Sequence, residues 1–102
     1  MTLIEIKAKY IEVKGHSGYA HIGSDIVCAA ISTLVQATYN YLEATGNDVE
    51  AESLDGYFKI IFKSDLNRPG ENILGGFIEM AKDLESQYKN YIKVEGDIIW
   101  KY

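Results

Sequence analysis

The apolar residues of this chain change period several times along its length, and those changes restrict the fold more than any other feature. From Leu3 to Ala8 they alternate, with Ile4, Ile6 and Ala8 on one side, which predicts a strand; Ile11 and Val13 repeat the signal before Gly15. Lys9 and Tyr10 form either a tight turn between two strands or a bend in one. From Ser24 the spacing becomes helical: Ile26, Val27, Ala30, Ile31, Leu34, Val35, Thr38 and Leu42 share a face, with Ser24 as the expected N-cap, Asp25 in the first turn and Gly46 as the stop. Val49 to Leu54 and Tyr57 to Lys63 flank Asp55-Gly56, a pair suited to a two-residue hairpin. Pro69 then opens a second helical pattern through Ile73, Leu74, Phe77, Ile78, Ala81, Leu84 and Tyr88. Tyr91 to Glu95 and Ile98 to Trp100 read as strand, with Gly96-Asp97 as a bend or turn. The order ββαββαβ predicts an α+β protein, with both helices on one face of a mainly antiparallel sheet of about five strands.

The 102 residues make one domain, 1–102, with a single core and no repeat or linker. Ten Lys and Arg against fifteen Asp and Glu leave a net charge of -5. That balance lacks the basic footprint that holds phosphate backbones, so direct nucleic-acid binding is not expected. Apolar runs such as Ile26 to Ile31 are far shorter than the roughly 20 residues that cross a bilayer. With no charged-then-apolar leader, a cytoplasmic protein without membrane contact is expected.

One cysteine and two histidines remain as the chemically distinctive residues. Cys28 has no partner for a disulfide, and with His16 and His21 it falls short of a four-ligand metal set. No motif calls for a cofactor. Cys28 is therefore either a packed thiol or a reactive one. Its place at a helix start, where the positive end of the dipole stabilises a thiolate, favours reactivity. Asp25, Cys28 and Ser32 fall on one stripe of that helix. His16 lies at the far end of the glycine-rich stretch Gly15 to Gly23, which as a mobile loop can bring an imidazole to the sulfur. Cys with His is the set needed for an imidazole to take the thiol proton, a thiolate to attack a carbonyl, and an imidazolium to protonate the leaving amine. His21 competes for that role, and His16 is preferred because it borders a strand.

The stretch Gly15-His16-Ser17-Gly18-Tyr19-Ala20, followed by Gly23-Ser24-Asp25-Ile26-Val27-Cys28-Ala29-Ala30-Ile31-Ser32, resembles the signature of the ribosomal-processing cysteine protease family, often called Prp. The resemblance implies a usually homodimeric protein that removes a short N-terminal extension from a precursor of large-subunit ribosomal protein number twenty-seven. It implies Cys28 as nucleophile and His16 as general base. It gives Asp25 and Ser32 supporting roles: orienting the histidine, stabilising charge or shaping the pocket. It also implies a large apolar residue before the cut. The first two strands are joined by less turn sequence than is usual in the family.

Other readings of the same residues stay open at this stage. A carboxylate beside Cys28 opposes thiolate formation, so Asp25 suits an imidazolium better than a sulfur, and equally suits the helix dipole alone. Ser32 is equally able to bond back to the Cys28 carbonyl. Gly15, Gly18 and Gly23, with the helix-start amides, either supply oxyanion donors or only permit turns. Tyr39, Tyr41, Tyr88 and Tyr91 are expected in the core or an interface. A net charge of -5 suits a basic protein substrate. The alternative to a protease is a non-catalytic, dimeric ribosome-assembly module with a structural Cys28.

Overall fold

The computed structural model describes residues 1–21 and 24–96. Its elements are β1 (Thr2–Ile6), β2 (Tyr10–Lys14), α1 (Ile26–Ala44), β3 (Val49–Leu54), β4 (Tyr57–Phe62), α2 (Arg68–Gln87) and β5 (Ile92–Gly96). This is the expected ββαββαβ order of an α+β fold. The expected strand at Ile98 to Trp100 lies outside the described residues.

The two ends of the first strand signal resolve into a tight hairpin, with Lys7 N–H donating to the Tyr10 carbonyl at 2.9 Å and Ile6 opposite Ile11. The sheet order is β3-β4-β2-β1-β5, and only β1 with β5 is parallel. Each helix is thus a crossover between strands that run the same way. α1 links β2 to β3 past β4, and α2 links β4 to β5 past β2 and β1. Because β2 and β4 run in opposite directions and their crossovers move oppositely across the sheet, right-handed connections put both helices over the same face.

Period-two alternation supplies that face with Ile4, Ile6, Ile11, Val13, Ile60, Phe62 and Ile92. The helices bring Val27, Ile31, Val35 and Leu42, and Leu74, Phe77, Ile78 and Ala81, into one buried cluster. A buried Leu or Ile contributes roughly 1.5–3 kcal/mol. Anchoring α1 this firmly also fixes the direction in which its N-terminus points.

The cap of α1 differs from expectation. Asp25, not Ser24, is the N-cap, and its Oδ1 accepts from the Val27 and Cys28 amides at 3.0 and 2.9 Å. A carboxylate satisfies two otherwise unpaired amides and complements the helix dipole, which a serine hydroxyl does less well. Ser24 instead closes a turn by donating its N–H to the His21 carbonyl. At the other end the helix stops as predicted, with Gly46 at φ +86° just beyond the Thr45 cap. No described helix is long and apolar enough to cross a membrane.

Candidate active site

With Asp25 at the cap, Cys28 occupies the third helical position of α1. Its thiol is half-buried, free of any disulfide, and opens onto a cleft of about 260 Å³ between α1 and the β3–β4 hairpin. His16 and Ser32 line the same cleft, with Val13, Ile31, Val35, Leu54 and Phe58 as its apolar walls. His21 does not line it. The structure therefore brings Cys28, His16 and Ser32 to one cavity. A larger open hollow of about 680 Å³, at the opposite end of the sheet beside Lys9, Asp65 and Glu71, contains no cysteine or histidine.

Asp25 sits behind the sulfur rather than in the cleft. Besides the two helix amides on Oδ1, its Oδ2 accepts from the Ser17 hydroxyl at 2.6 Å, Tyr19 N–H at 3.2 Å and Ala20 N–H at 3.3 Å. Burial alone would push this carboxyl up, but the Ser17 hydroxyl and the Cys28 and Ala20 amides outweigh it and lower its pKa from 3.8 to about 2. The carboxylate is ionised throughout the neutral range. None of these five donors belongs to His16, so Asp25 does not pair with the imidazole in this structure. The helix cap and the loop amides occupy its lone pairs first.

Ser17 connects the two. It is only 2% exposed, its N–H donates to Cys28 Sγ at 3.3 Å, and the thiol donates to its Oγ at 3.5 Å. With its own proton given to Asp25, the Ser17 oxygen is left as an acceptor for the thiol. Reading the sequence missed Ser17, which stood as a motif position without a role. Its only linear signal was adjacency to His16.

His16 is held by the hairpin turn. Gly15 N–H donates to the Gly56 carbonyl at 2.8 Å, extending the β2–β4 ladder by one pair. The imidazole lies against Gly56: a Cβ there would come within 2.9 Å of Nε2 and 3.3 Å of Cε1. No hydrogen bond joins His16 to Cys28, so proton transfer between them requires the glycine loop to shift. That loop is also docked at Tyr19, whose ring stands edge-on to Tyr88 and Tyr91 at centroid separations of 5.7 and 5.3 Å. Of the four tyrosines expected in a core or interface, Tyr88 and Tyr91 thus hold the loop, whereas Tyr39 packs on Phe58 and Tyr41 is exposed.

Ser32 does not bond back to the Cys28 carbonyl. It is exposed and accepts from Gln36 Nε2 at 2.7 Å, leaving its hydroxyl proton directed by neither Cys28 nor His16. The helix-start amides of Val27 and Cys28 are committed to Asp25, which removes them as ready oxyanion donors. The Ser17 amide remains beside the sulfur. Among the described residues, no three His, Cys, Asp or Glu side chains converge as a metal site. Chemically, the cleft offers a nucleophile at a helix start, a nearby base and an apolar pocket.

The family model described as cysteine protease Prp matches residues 1–93. No sequence among the curated proteins matches the chain. Among solved structures, the essential ribosomal processing protease Prp of S. aureus with a covalently linked product peptide superposes with a TM-score of 0.88. It is 21% identical, over 95% of this chain and 100% of that one. The same protease with a substrate peptide gives 0.83 at 20% identity, with the same coverage. SMU.848 from Streptococcus mutans gives 0.71 at 23% identity, over 93% of this chain and 90% of that one.

Proposed function

The chain belongs to the cysteine protease Prp family, and from that premise we propose that it removes the N-terminal extension of a precursor of large-subunit ribosomal protein twenty-seven, with Cys28 as nucleophile and His16 as general base. The observation that carries this reading is the shared cleft: a thiol on the first turn of α1 and an imidazole seated on the hairpin turn line one apolar cavity.

On substrate binding, the loop shifts to bring His16 to the thiol. His16 takes the Cys28 proton, and the sulfur forms a bond to the scissile carbonyl carbon. The C–N bond breaks as the imidazolium protonates the departing amine, leaving a thioester. Water, deprotonated by His16, then cleaves the thioester and restores the thiol. Asp25 acts one step removed, anchoring both the helix start and the loop. Ile31, Val35, Leu54 and Phe58 would receive a large apolar residue before the cut. The S. aureus proteins described as ribosomal processing proteases hold peptides, which supports a peptide substrate here. A net charge of -5 would attract a basic precursor, an effect that salt should weaken. The proposal includes a cytoplasmic homodimer, for which exposed Tyr41 and Met80 on the helices would be suitable contacts.

Incubation of the precursor with the protein and with Cys28→Ala, followed by product mass measurement, tests the reading. A shortened product with the first and not the second is expected. A precursor left intact by the unmodified protein would overturn it.

A further inference from the structure

Strand β3 borders the sheet, paired with β4 on one side and with no described strand on the other. The register shows which of its backbone groups are unpaired. Lys63 N–H donates to the Asp48 carbonyl at 2.9 Å. In an antiparallel ladder every second residue from there, Glu50, Glu52 and Leu54, turns its N–H and C=O toward β4. Val49, Ala51 and Ser53 therefore turn theirs outward. Ala51 and Ser53 are small and exposed, so nothing on their side chains hinders approach. Such an edge is a template for another extended chain.

Two features specify the occupant. Asp48, Glu50, Glu52 and Asp55 crowd this edge, with Lys63 3.5 Å from Glu50 and Lys59 opposite Glu52 in the ladder. A second copy of β3 laid alongside would set like charges against each other, whereas a segment bearing Lys or Arg is attracted. The edge also leads to the chemistry, because Ser53 and Leu54 line the cleft with Cys28 and His16. The opposite edge, β5, borders a different hollow that carries Lys82, Lys89 and Lys93.

Resting on the proteolytic reading above, we propose that β3 is the substrate-docking strand. A basic, extended segment of the substrate pairs with the outward backbone groups of Val49, Ala51 and Ser53, is attracted by Glu50 and Glu52, and so delivers an adjacent apolar residue to the cleft.

The test uses a synthetic peptide with the sequence of the precursor's extension and the residues that follow it. Ala51→Pro removes one outward N–H and leaves the β3–β4 ladder intact, since proline is tolerated where an edge N–H faces solvent. It is expected to raise KM about tenfold, with circular dichroism unchanged. Glu50→Gln with Glu52→Gln should raise KM at low salt and converge with the unmodified protein at high salt. In Cys28→Ala saturated with the peptide, the Ala51 and Ser53 amides should exchange at least about tenfold more slowly. Cleaved peptide without that protection would overturn the docking strand and leave the protease standing. Protection that grows with protein concentration in the absence of peptide would assign the edge to a second copy and overturn it too. A peptide neither cut nor bound would remove the proteolytic reading, and this one with it.

Discussion

The Ser17 hydroxyl donates to the Asp25 carboxylate at 2.6 Å while its backbone N–H donates to Cys28 Sγ at 3.3 Å, so one buried serine joins the helix cap to the sulfur. Asp25 therefore reaches the Cys28 sulfur through Ser17, and the histidine takes its position from elsewhere.

The bond network makes Asp25 a pH-dependent anchor. Its pKa is lowered from 3.8 to about 2 in the folded protein, so the unfolded chain binds more protons between those values. The stability contributed by this group is complete above about pH 4 and is lost as pH falls through about 2. Urea melts of the protein and of Asp25→Asn across that range should show the gap between them closing as pH falls. A constant gap would mean the ionised carboxylate is not the anchor.

The two loop histidines should separate cleanly. His16 lines the cleft and His21 does not, so His16→Ala should lower kcat/KM by about 10²- to 10⁴-fold, the usual worth of a general base. His21→Ala should stay within about twofold of the unmodified protein. Equal losses would remove the preference for His16.

Gly56 does two things at once. At φ +67° any side chain is strained by roughly 1–2 kcal/mol, and a Cβ would meet the His16 ring at 2.9 Å. Gly46, at φ +86°, carries the same strain with only Asn67 Nδ2 nearby, 3.9 Å away. Gly56→Ala and Gly46→Ala should lose similar stability in chemical denaturation, yet only Gly56→Ala should lose cleavage beyond its loss of stability. Similar activities in the two variants would show that the turn does not seat the imidazole.

Tyr19 tethers the loop to the end of α2 and the start of β5. Aromatic pairs of this geometry contribute about 0.5–1.5 kcal/mol beyond area burial. Tyr19→Ala should therefore speed amide exchange at Ser17 and Ala20 while leaving α2 protected. Unchanged loop exchange would assign the docking to the Asp25 bonds alone.

Much of this was legible in the sequence. The alternation through Leu3 to Ala8 and Ile11 to Val13, the helical spacing of both helices and the Asp55-Gly56 turn are local signals, because each depends on residues a few positions apart. The helix-start placement of Cys28 is local too, and survives moving the cap from Ser24 to Asp25. The cap expected at Ser24 falls instead at Asp25, because both residue types favour the position and the loop amides gather on Asp25. The roles expected for Asp25 and Ser32 depended on which partners would reach them. Asp25 meets Ser17, Tyr19 and Ala20 rather than His16, and Ser32 meets Gln36.

By itself the sequence determined the kind and order of the elements, one core, and a lone cysteine on the first turn of a helix, because backbone periodicity and capping act over a turn or two. Only the tertiary structure set β5 parallel to β1, put β3 at an edge of the sheet, folded Ser17 onto the sulfur, and placed Gly56 beneath His16, forty residues away in sequence. Those relationships depend on which strands pair and in what register. That is settled by burying one face of the whole sheet under both helices, a condition no single segment contains.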